Sequence, residues 1–420
     1  MQNITFSVAV LGAGNIGSAL LNRLEDLDND VLSIQLKKVL VKDISKNRGI
    51  DKDLLTDNFN EIVNDDSIDL VIEVLGGIDP GREYIKALLK KGKAVITANK
   101  DIIADSGANL IKIAQENNTC LYFEAAVAAG IPVLKPIIES LRMEELTKIL
   151  GIVNGTSNYI LTSMEEGSTY EDALSSAKQL GYAEPDPTND VDGFDAKYKA
   201  MILSLLCFGI SPNNEDVFTE GISKITKEDF EWASRLNKTI KLVAQIDSSN
   251  EGINARVHPV LIDKKHPLSS IRGALNALVI EGEKIDQLVF SGPGAGPEPT
   301  ASSIIGDVLS ACRQLGNENS NWYPLRQYNK GNKSFEDVES SLFIRLSVND
   351  EPGVLAKIAG AFGENSVSIE SVIQEGRGST AELVIITHDA KEKDLTASVE
   401  TIQSFSVVDN IASIIRVYSD

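Results

Sequence analysis

Cysteine is scarce in this sequence, and several features that define large classes of protein are missing. The three cysteines, Cys120, Cys207 and Cys312, lie far apart among apolar neighbours and form no Cys-x-x-Cys pair. A disulfide framework and a zinc site are therefore not expected. No apolar run reaches the roughly 18 residues that a transmembrane helix requires, so the sequence predicts no membrane span.

Basic residues are also fewer than acidic residues. The chain has 40 Lys and Arg residues against 61 Asp and Glu, a formal net charge of −21. This field disfavours nucleic acid or an anionic membrane as the main partner, although it leaves room for a local basic pocket that binds a phosphate. The first residues, "MQNITFSVAVLGAGNIG", lack the basic region of a secretory signal, and a cytoplasmic location is the expectation.

The 420 residues exceed the length of one ordinary domain, since domains hold about 100–200 residues. In the first third, short apolar runs alternate with helical patterns, which predicts right-handed crossovers and a Rossmann-type, doubly wound parallel sheet. The middle indicates an α+β fold, and the tail, ordered βαββαβ, is typical of a ferredoxin-like unit. We assign the nucleotide-binding domain to residues 1–135 plus about 297–325, and the substrate-binding and dimerisation domain to 136–296. Residues 326–341 are assigned to a linker and 342–420 to a regulatory tail.

Several individual elements are predicted within these domains. The apolar runs "DLVIEVLGG" and "CLYFEAAV" are typical of buried strands. Helices are expected at Ser18–Leu27 and Ser106–Asn117. Ser168 and Glu171 match a capping box at the start of a further helix, and Gly181 is expected to lie just past its end.

The motif "GAGNIG" carries Gly12, Gly14 and Gly17 in a G-x-G-x-x-G pattern. It follows a predicted strand and opens a predicted helix, which is the context that a dinucleotide site requires. We include Asn15 and Ile16, which lie between the glycines, in this site. The plain alternative is a glycine-rich turn without a ligand.

The choice between NAD and NADP depends on the residues after the second strand. An acidic residue there would bind the ribose diol, and a basic one would accept a 2′-phosphate. The sequence offers both, with Asp43 beside Lys42, Lys46 and Arg48. The basic residues favour NADP, with NAD as the open alternative. The plain alternative is that they are ordinary surface charges on a strand-to-helix turn.

Two more motifs point to the same ligand. "VITANK" predicts a strand that ends in Asn99 and Lys100, which places both side chains at the carboxyl edge of the parallel sheet, where ligands bind. A solvated lysine is the ordinary alternative for Lys100. The Gly/Pro-rich loop in "SGPGAGPEPTASSIIGDVL" leads into a helix with Thr300 near its start. This loop either contacts the nucleotide or is a simple domain crossover.

The segment "GYAEPDPTNDVDGFDAKYK", residues 181–199, gathers five carboxylates ahead of two lysines. A calcium loop is excluded, because with Gly193 at the sixth position Lys199 would occupy the twelfth, where a carboxylate is needed. Asp195 and Lys199 are four residues apart on one helical face, which continues into the apolar Leu206. The pair is either an exposed ion pair or a carboxylate that orients a lysine for proton transfer.

The histidines favour the second interpretation. His258, His266 and His388 all lie outside the motifs described above. A dehydrogenase with a histidine base is therefore hard to build from this chain, and a lysine acid/base is what remains.

Together these motifs resemble those of the homoserine dehydrogenases. The resemblance covers nearly the whole chain and rests on "GAGNIG", "TANK", "FEAAVAAGIPVLKPI", "GIVNGTSNYIL", "LGYAEPDPTNDVDGFDAKYK" and "GPGAGPEPTASSIIGDVL". The tail, with "VNDEPGVLAKIAGAF", resembles an ACT domain, a unit that senses amino acids in many proteins.

The resemblance implies interconversion of L-aspartate 4-semialdehyde and L-homoserine with a nicotinamide cofactor. Lys199 would exchange the proton, Asp195 would orient it or bind substrate, and Lys100 would lie between cofactor and substrate. The remaining implied contacts are Gly181, Glu184 and Asp190 to the substrate, Gly296 and Thr300 to the cofactor, and Glu124 with the carbonyls of Val127, Ala129 and Ile131 to a monovalent cation such as Na⁺.

The resemblance also implies threonine as a possible effector of the tail and a homo-oligomer, either a dimer or a tetramer. Two rival interpretations remain. An ACT-bearing hydroxy-acid dehydrogenase would need a catalytic histidine and a nucleotide motif deep inside the chain. An amino-acid-sensing protein with a degenerate dehydrogenase body is disfavoured because Lys100, Glu184, Asp195 and Lys199 are intact.

Overall fold

The computed structural model describes residues 4–25, 32–316, 325–326, 330–376 and 378–419. The last residues of the helix predicted at Ser18–Leu27 and residues 327–329 of the predicted linker lie outside this range, as do residues 317–324. The strands are β1 (Ile4–Leu11), β2 (Leu32–Leu40), β3 (Leu55–Thr56), β4 (Leu70–Glu73), β5 (Ala94–Thr97), β6 (Leu121–Tyr122), β7 (Leu146–Ile152), β8 (Phe218–Thr219), β9 (Lys238–Ser249), β10 (Gly252–Asp263), β11 (Leu275–Gly282), β12 (Asp286–Pro293), β13 (Glu339–Asn349), β14 (Ile369–Glu375), β15 (Thr380–Thr387), β16 (Ala390–Lys391) and β17 (Val408–Val417). The helices are α1 (Asn15–Glu25), α2 (Asn60–Val63), α3 (Gly81–Lys90), α4 (Lys100–Glu116), α5 (Leu134–Ile138), α6 (Gly155–Glu165), α7 (Tyr170–Gln179), α8 (Thr188–Val191), α9 (Phe194–Phe208), α10 (Lys227–Arg235), α11 (Pro297–Leu315), α12 (Val354–Glu364) and α13 (Glu392–Gln403).

The chain divides into two compact units. The first comprises the described residues within Met1–Glu145, Met201–Ser211 and Phe290–Tyr328. The second comprises those within Leu146–Ala200, Pro212–Val289 and Asn329–Asp420. Helix α9 starts in the second unit and ends in the first.

The first unit is built on a six-stranded sheet in the order β3-β2-β1-β4-β5-β6. Every pairing in it is parallel. Strands β4 and β5 are buried at every position, as expected for strands covered on both faces. The predicted Rossmann-type sheet is confirmed.

Two local predictions in this unit are wrong. The run "CLYFEAAV" forms strand only at Leu121–Tyr122 and then a 3₁₀ turn, because the backbone N–H of Glu124 donates to the Asp307 carboxylate and not to a neighbouring strand. The helix expected from Ser106 begins six residues earlier, at Lys100, because the side chain of Asn99 caps it.

The second unit contains an eleven-stranded mixed sheet, whose main path runs β12-β11-β7-β9-β10-β17-β13-β15-β14. The last four of these strands, with α12 and α13, give the tail its predicted βαββαβ order. Strand β17 pairs antiparallel with β13 and also parallel with β10, at Val260↔Arg416 and Leu261↔Val417. The tail therefore continues the sheet of the middle segment, and β13 already begins at Glu339, inside the predicted linker.

In the second unit, the predicted capping residue of one helix is wrong. Helix α7 is capped by Thr169, whose hydroxyl accepts the N–H of Asp172, and not by Ser168. Gly181 lies just past the end of this helix with a φ of 76°, as predicted.

The three cysteines are free and buried. None of the described helices combines the length and apolarity needed to cross a membrane.

Candidate active site

The candidate site in the second unit is built on the turn between β7 and α6. Strand β7 pairs with β9 and β11 and ends at Ile152. Asn154 then caps α6, its side-chain oxygen accepting the N–H of Ser157 at 2.8 Å. An asparagine satisfies the unpaired N–H groups at a helix start well, so the turn is held at both ends.

Lys199 and Asp195 meet against this turn. The Lys199 Nζ donates to Asp195 Oδ2 at 2.6 Å and to the carbonyl oxygen of Val153, also at 2.6 Å. Their side chains are only 11% and 13% exposed. The pair is thus a largely buried, doubly anchored ammonium–carboxylate contact, and the exposed ion pair that spacing alone would allow is not what forms.

A second carboxylate lies beside the first. Asn154 Nδ2 donates to Asp190 Oδ1 at 2.7 Å and to Asp195 Oδ2 at 2.9 Å. Burial and the nearby charge of Asp195 raise the pKa of Asp190, while the hydrogen bond from Asn154 and the charge of Lys199 oppose the shift. The structure therefore brings Asp190, Asp195 and Lys199 together.

The rest of residues 181–199 is more open. Gly181 and Glu184 are exposed in the loop before α8. Asp186 binds Thr188 within this loop, its Oδ1 accepting both the backbone N–H and the hydroxyl. Lys197 is buried, and burial lowers its pKa.

The three glycines of the motif in the first unit have two different roles. A Cβ on Gly12, whose φ is +108°, would lie 2.7 Å from the carbonyl oxygen of Val74, and one on Gly17 would lie 2.4 Å from the carbonyl oxygen of Gly12. These two glycines permit the tight turn between β1 and α1. Gly14 has no atom within 4 Å of its Cβ position, which leaves open space at the N-terminus of α1, beside Asn15 and Ile16. This cradle fits a pyrophosphate.

The loop after β2 presents its basic residues outward. Lys42 and Lys46 are exposed, and Arg48 donates to the carbonyl oxygens of Asp43 and Lys46. The Asp43 carboxylate accepts the N–H and the hydroxyl of Ser45 at 2.8 and 2.6 Å. Asp43 thus stabilises its own loop.

Lys100 is the first residue of α4 and not the last of a strand. Asn99 caps this helix through Ile102 N–H, at 3.2 Å, and its Nδ2 donates to the carbonyl oxygen of Gly77 at 2.6 Å. Thr97 links Asn99 to Glu73, whose carboxylate accepts the threonine hydroxyl at 2.5 Å. The start of α4 is therefore fixed to the carboxyl ends of β4 and β5.

A buried charged cluster surrounds the residue predicted to bind a cation. The Glu124 carboxylate accepts the backbone N–H groups of Val133, Leu134 and Lys135, at 2.6, 2.8 and 2.9 Å. Asp307 on α11 pairs with the Lys135 ammonium at 3.0 Å. Burial raises the pKa of Glu124 and raises that of Asp307 to about 7.

These contacts leave backbone carbonyls as the main oxygens for a cation. The carbonyl oxygen of Ala129 accepts the Ser303 hydroxyl, and Ala128 adopts a φ of 50°. In the described part of the chain, no three His, Cys, Asp or Glu side chains cluster as metal ligands. A cation held by Glu124 and the carbonyl oxygens of Val127, Ala129 and Ile131 stays a prediction.

The helix that follows the Gly/Pro loop begins at Pro297. Gly296 precedes it with a φ of 116°, and its carbonyl oxygen accepts the N–H of Thr300 at 3.1 Å. Thr300 is buried. Their contacts to a cofactor stay predictions.

Comparison with known proteins assigns the family. Three family models match: "Homoserine dehydrogenase, NAD binding domain" at residues 12–124, "Homoserine dehydrogenase" at 132–309 and "ACT domain" at 343–406. The homoserine dehydrogenase of Bacillus subtilis is 39% identical over 422 residues, which cover 98% of each chain. The chain belongs to the homoserine dehydrogenase family.

Solved structures agree with this assignment. A homoserine dehydrogenase from Thiobacillus denitrificans superposes with a TM-score of 0.93 at 33% identity, covering 100% of this chain and 99% of that one. A hyperthermophilic archaeal homoserine dehydrogenase, in complex with NADPH, has a TM-score of 0.65 at 28% identity, covering 77% of this chain and 100% of that one. The present homoserine dehydrogenase is thus an oxidoreductase acting on a CH–OH group of a small molecule with a nicotinamide cofactor, and its tail is an ACT domain.

Sequence reasoning missed three polar residues that organise the two halves of this homoserine dehydrogenase. Asn154 and Asn99 are helix caps, and the signal for each was an asparagine directly between an apolar strand and a helix. Glu73 is buried at the end of β4, and its signal was a single carboxylate within an apolar run.

Proposed function

We propose that this homoserine dehydrogenase reduces L-aspartate 4-semialdehyde with NADPH in threonine, methionine and isoleucine biosynthesis. In this proposal Lys199 donates the proton, and threonine inhibits the reaction through the ACT domain. One observation carries the catalytic part of the proposal. The Lys199 ammonium is buried and anchored at 2.6 Å to both Asp195 and the Val153 carbonyl oxygen. These two contacts fix its position while leaving its third N–H direction for a substrate.

The chemistry follows from this anchored ammonium. The nicotinamide cofactor, when bound, supplies the hydride that reduces the aldehyde carbon. As the carbonyl oxygen gains negative charge, a fixed ammonium stabilises that charge and then supplies the proton. Asp195 keeps the ammonium oriented, and in the reverse reaction Lys199 takes the proton from homoserine.

The carboxylates suit an amino-acid substrate. Both substrate and product carry an ammonium group, and carboxylates are its natural partners. Asp190 is fixed near Lys199, and Glu184 lies in the exposed loop that leads to it. We assign recognition of the substrate ammonium to Glu184 and Asp190, with Gly181 providing the loop's backbone turn.

The cofactor preference rests on the basic loop after β2. Lys42 and Lys46 are exposed there, and Asp43 is engaged with Ser45, so positive charge is available for a 2′-phosphate. The archaeal relative in complex with NADPH supports the same choice. Cytoplasmic location and a dimeric or tetrameric assembly remain predictions.

The catalytic proposal is tested by Lys199→Met, which keeps the length of the side chain and removes the ammonium. We expect kcat to fall about 10²–10⁴-fold, the contribution of positioned acid–base catalysis. NADPH affinity, measured by fluorescence titration, should not change. Lys197→Met is the matched control, because it removes another buried lysine from α9, and it should keep the wild-type kcat. A Lys199→Met enzyme with near-normal kcat would show that another group moves the proton.

The regulatory proposal needs an assay that separates two sites, since threonine resembles homoserine. Rates of NADPH oxidation are measured with increasing threonine on the full chain, with hydrogen exchange followed in parallel. We expect saturable inhibition and slower exchange within residues 342–419. Slower exchange only within residues 181–199 would mean that threonine competes at the active site. No change in rate would refute regulation by threonine.

A further inference from the structure

The side-chain amide of Asn154 joins the two carboxylates of the site. Its Nδ2 donates one hydrogen bond to Asp190, at 2.7 Å, and one to Asp195, at 2.9 Å. Asn154 itself is buried. Two carboxylates from different elements, the helices α8 and α9, thus converge on one –NH₂ group.

The other end of the same amide fixes its orientation. Oδ1 accepts the backbone N–H of Ser157 at 2.8 Å and the Ser157 hydroxyl at 2.9 Å. Turning the amide over would place –NH₂ against the Ser157 N–H and oxygen against two carboxylates. Only one orientation satisfies both sides, so Asn154 presents donors to the carboxylates.

The preceding residue completes the arrangement. The carbonyl oxygen of Val153 accepts the Lys199 ammonium at 2.6 Å, and Lys199 shares Asp195 Oδ2 with Asn154. Two successive residues of the β7–α6 turn therefore contact the lysine and both carboxylates. The turn sets where these three groups lie relative to one another.

The electrostatic effect of Asn154 follows from its neutrality. Asp190 and Asp195 repel each other when both are ionised, and this repulsion adds to the burial that raises the pKa of Asp190. Two amide N–H groups favour the ionised carboxylates without adding a charge that would compete with a substrate ammonium. A lysine at position 154 would supply donors but would also repel Lys199.

We propose that Asn154 is a positioning residue of the reaction, which holds Asp190 and Asp195 in place around Lys199 while it caps α6. The proposal rests on the function proposed for Lys199. If Lys199→Met keeps its activity, that function fails; if Lys199→Met is inactive and the Asn154 variants behave as wild type, only the present inference fails.

Two substitutions separate positioning from capping. Asn154→Ser retains a good N-cap and loses both donors to the carboxylates. Asn154→Asp retains the cap and the side-chain shape, but sets a third carboxylate against the other two. Thr169→Ala is the control for a lost cap alone, since Thr169 caps the neighbouring α7 on an exposed turn. For each variant, kcat, KM, NADPH affinity, melting temperature and the pH dependence of kcat/KM are measured.

We expect Asn154→Ser to lose about ten- to hundredfold in kcat, the effect of a small misplacement of reacting groups. The acidic limb of its kcat/KM profile should move to higher pH, because Asp190 loses the hydrogen bond from Asn154 that favours its charged form. Asn154→Asp should be worse at neutral pH and recover in part as pH falls, since the introduced carboxyl group, once protonated, can donate one hydrogen bond. NADPH affinity should be unchanged in both variants, and Thr169→Ala should keep the wild-type profile.

Two results would overturn the proposal. The first is wild-type kcat and pH dependence in Asn154→Ser. The second is an equal loss in both Asn154 variants with a lower melting temperature and no movement of the pH profile, which would make Asn154 a structural cap only.

Discussion

Replacement of Arg345 by Met should destabilise the second unit strongly, because it would strand a buried carboxylate. Arg345 on β13 donates to Asp229 Oδ1 at 2.9 Å, to Thr226 Oγ1 at 2.9 Å and to Glu382 Oε1 at 3.1 Å. The side chains of Arg345 and Asp229 are 8% and 0% exposed. This contact joins the ACT domain to α10 of the middle segment.

The three contacts differ in what their loss would cost. Glu382 is 37% exposed and can turn to water, and Thr226 keeps its hydrogen bond to Asp229. Asp229 cannot reach water, so removing its cation leaves an uncompensated buried charge, which costs about 3–5 kcal/mol. Asp229→Asn removes that charge. In the double variant Arg345→Met/Asp229→Asn, we therefore expect most of the loss to be recovered.

Unfolding by urea, followed by tryptophan fluorescence, would measure this effect. The chain has two tryptophans, and Trp232 lies on α10, with its Nε1 donating to Glu382 at 3.0 Å. A Trp322→Phe background therefore makes the signal report on α10. The matched control is Lys393→Met, because Lys393 and Asp337 form an ion pair whose side chains are 47% and 48% exposed. Such exposed pairs are screened by water and contribute little to stability.

The double-mutant cycle supplies the refutation. If Arg345 matters because it neutralises Asp229, the unfolding free energies lost in the two single variants must add up to more than the loss in the double variant. We expect the difference to be about 1–3 kcal/mol. Simple additivity would mean that Arg345 acts through packing of its aliphatic stem. A loss of unfolding free energy no larger than that of Lys393→Met would mean that the buried carboxylate is stabilised by other groups.

Three further predictions concern other parts of the chain. The Gly14→Ala variant should fold normally, since its Cβ meets no atom within 4 Å, yet it should bind NADPH about tenfold or more weakly, which is ~1.4 kcal/mol. Gly17→Ala should instead lower the melting temperature. Equal behaviour of the two variants would contradict the assigned roles. Burial raises the pKa of Asp307 to about 7, so the unfolding free energy should fall as pH rises from ~4 through 7, and Asp307→Asn should flatten that slope. Burial lowers the pKa of Lys241 to about 8, so the unfolding free energy should rise with pH between 8 and ~10, a rise that Lys241→Met should abolish.

The parallel sheet was predictable because its signals are local. Strands such as β4 and β5 are buried on both faces, so each must be a continuous apolar run, and β4 pairs with the strand that follows it along the chain, β5. The glycine motif is local only in part. Gly17 is required by the carbonyl oxygen of Gly12 within one strand–turn–helix unit, whereas Gly12 is required by the carbonyl oxygen of Val74, which follows β4.

Helix starts were less predictable, because adjacent polar residues compete to cap. Ser168 and Thr169 both have suitable hydroxyls, and the backbone of the preceding loop decides that Thr169 faces the first turn of α7. At "TANK", the pattern predicts a strand that ends in Asn99 and Lys100, whereas Asn99 caps α4 and donates a hydrogen bond to the carbonyl oxygen of Gly77, 22 residues earlier. A cap supported by a distant carbonyl cannot be identified from helical periodicity.

The active-site pair shows the same limit at a longer range. The spacing of Asp195 and Lys199 places them on one face, but the same spacing would serve an exposed ion pair. What distinguishes the two is the Val153 carbonyl oxygen, 46 residues away, and the amide of Asn154 beside it. The chemistry of the pair thus depends on a contact that only the folded chain supplies.

The continuity of the second sheet bears on how an effector of the ACT domain could reach catalysis. Strand β17 of the ACT domain pairs with β10, β10 pairs with β9, and β9 pairs with β7. Strand β7 leads directly into the turn of Val153 and Asn154, which holds Lys199 and both carboxylates. Because paired strands resist sliding past one another, a shift of β17 has to be taken up either at its short contact with β10 or along this row of strands. The geometry of the proposed proton donor and the ACT domain therefore belong to one hydrogen-bonded structure, and a hinge between separate bodies is not needed to couple them.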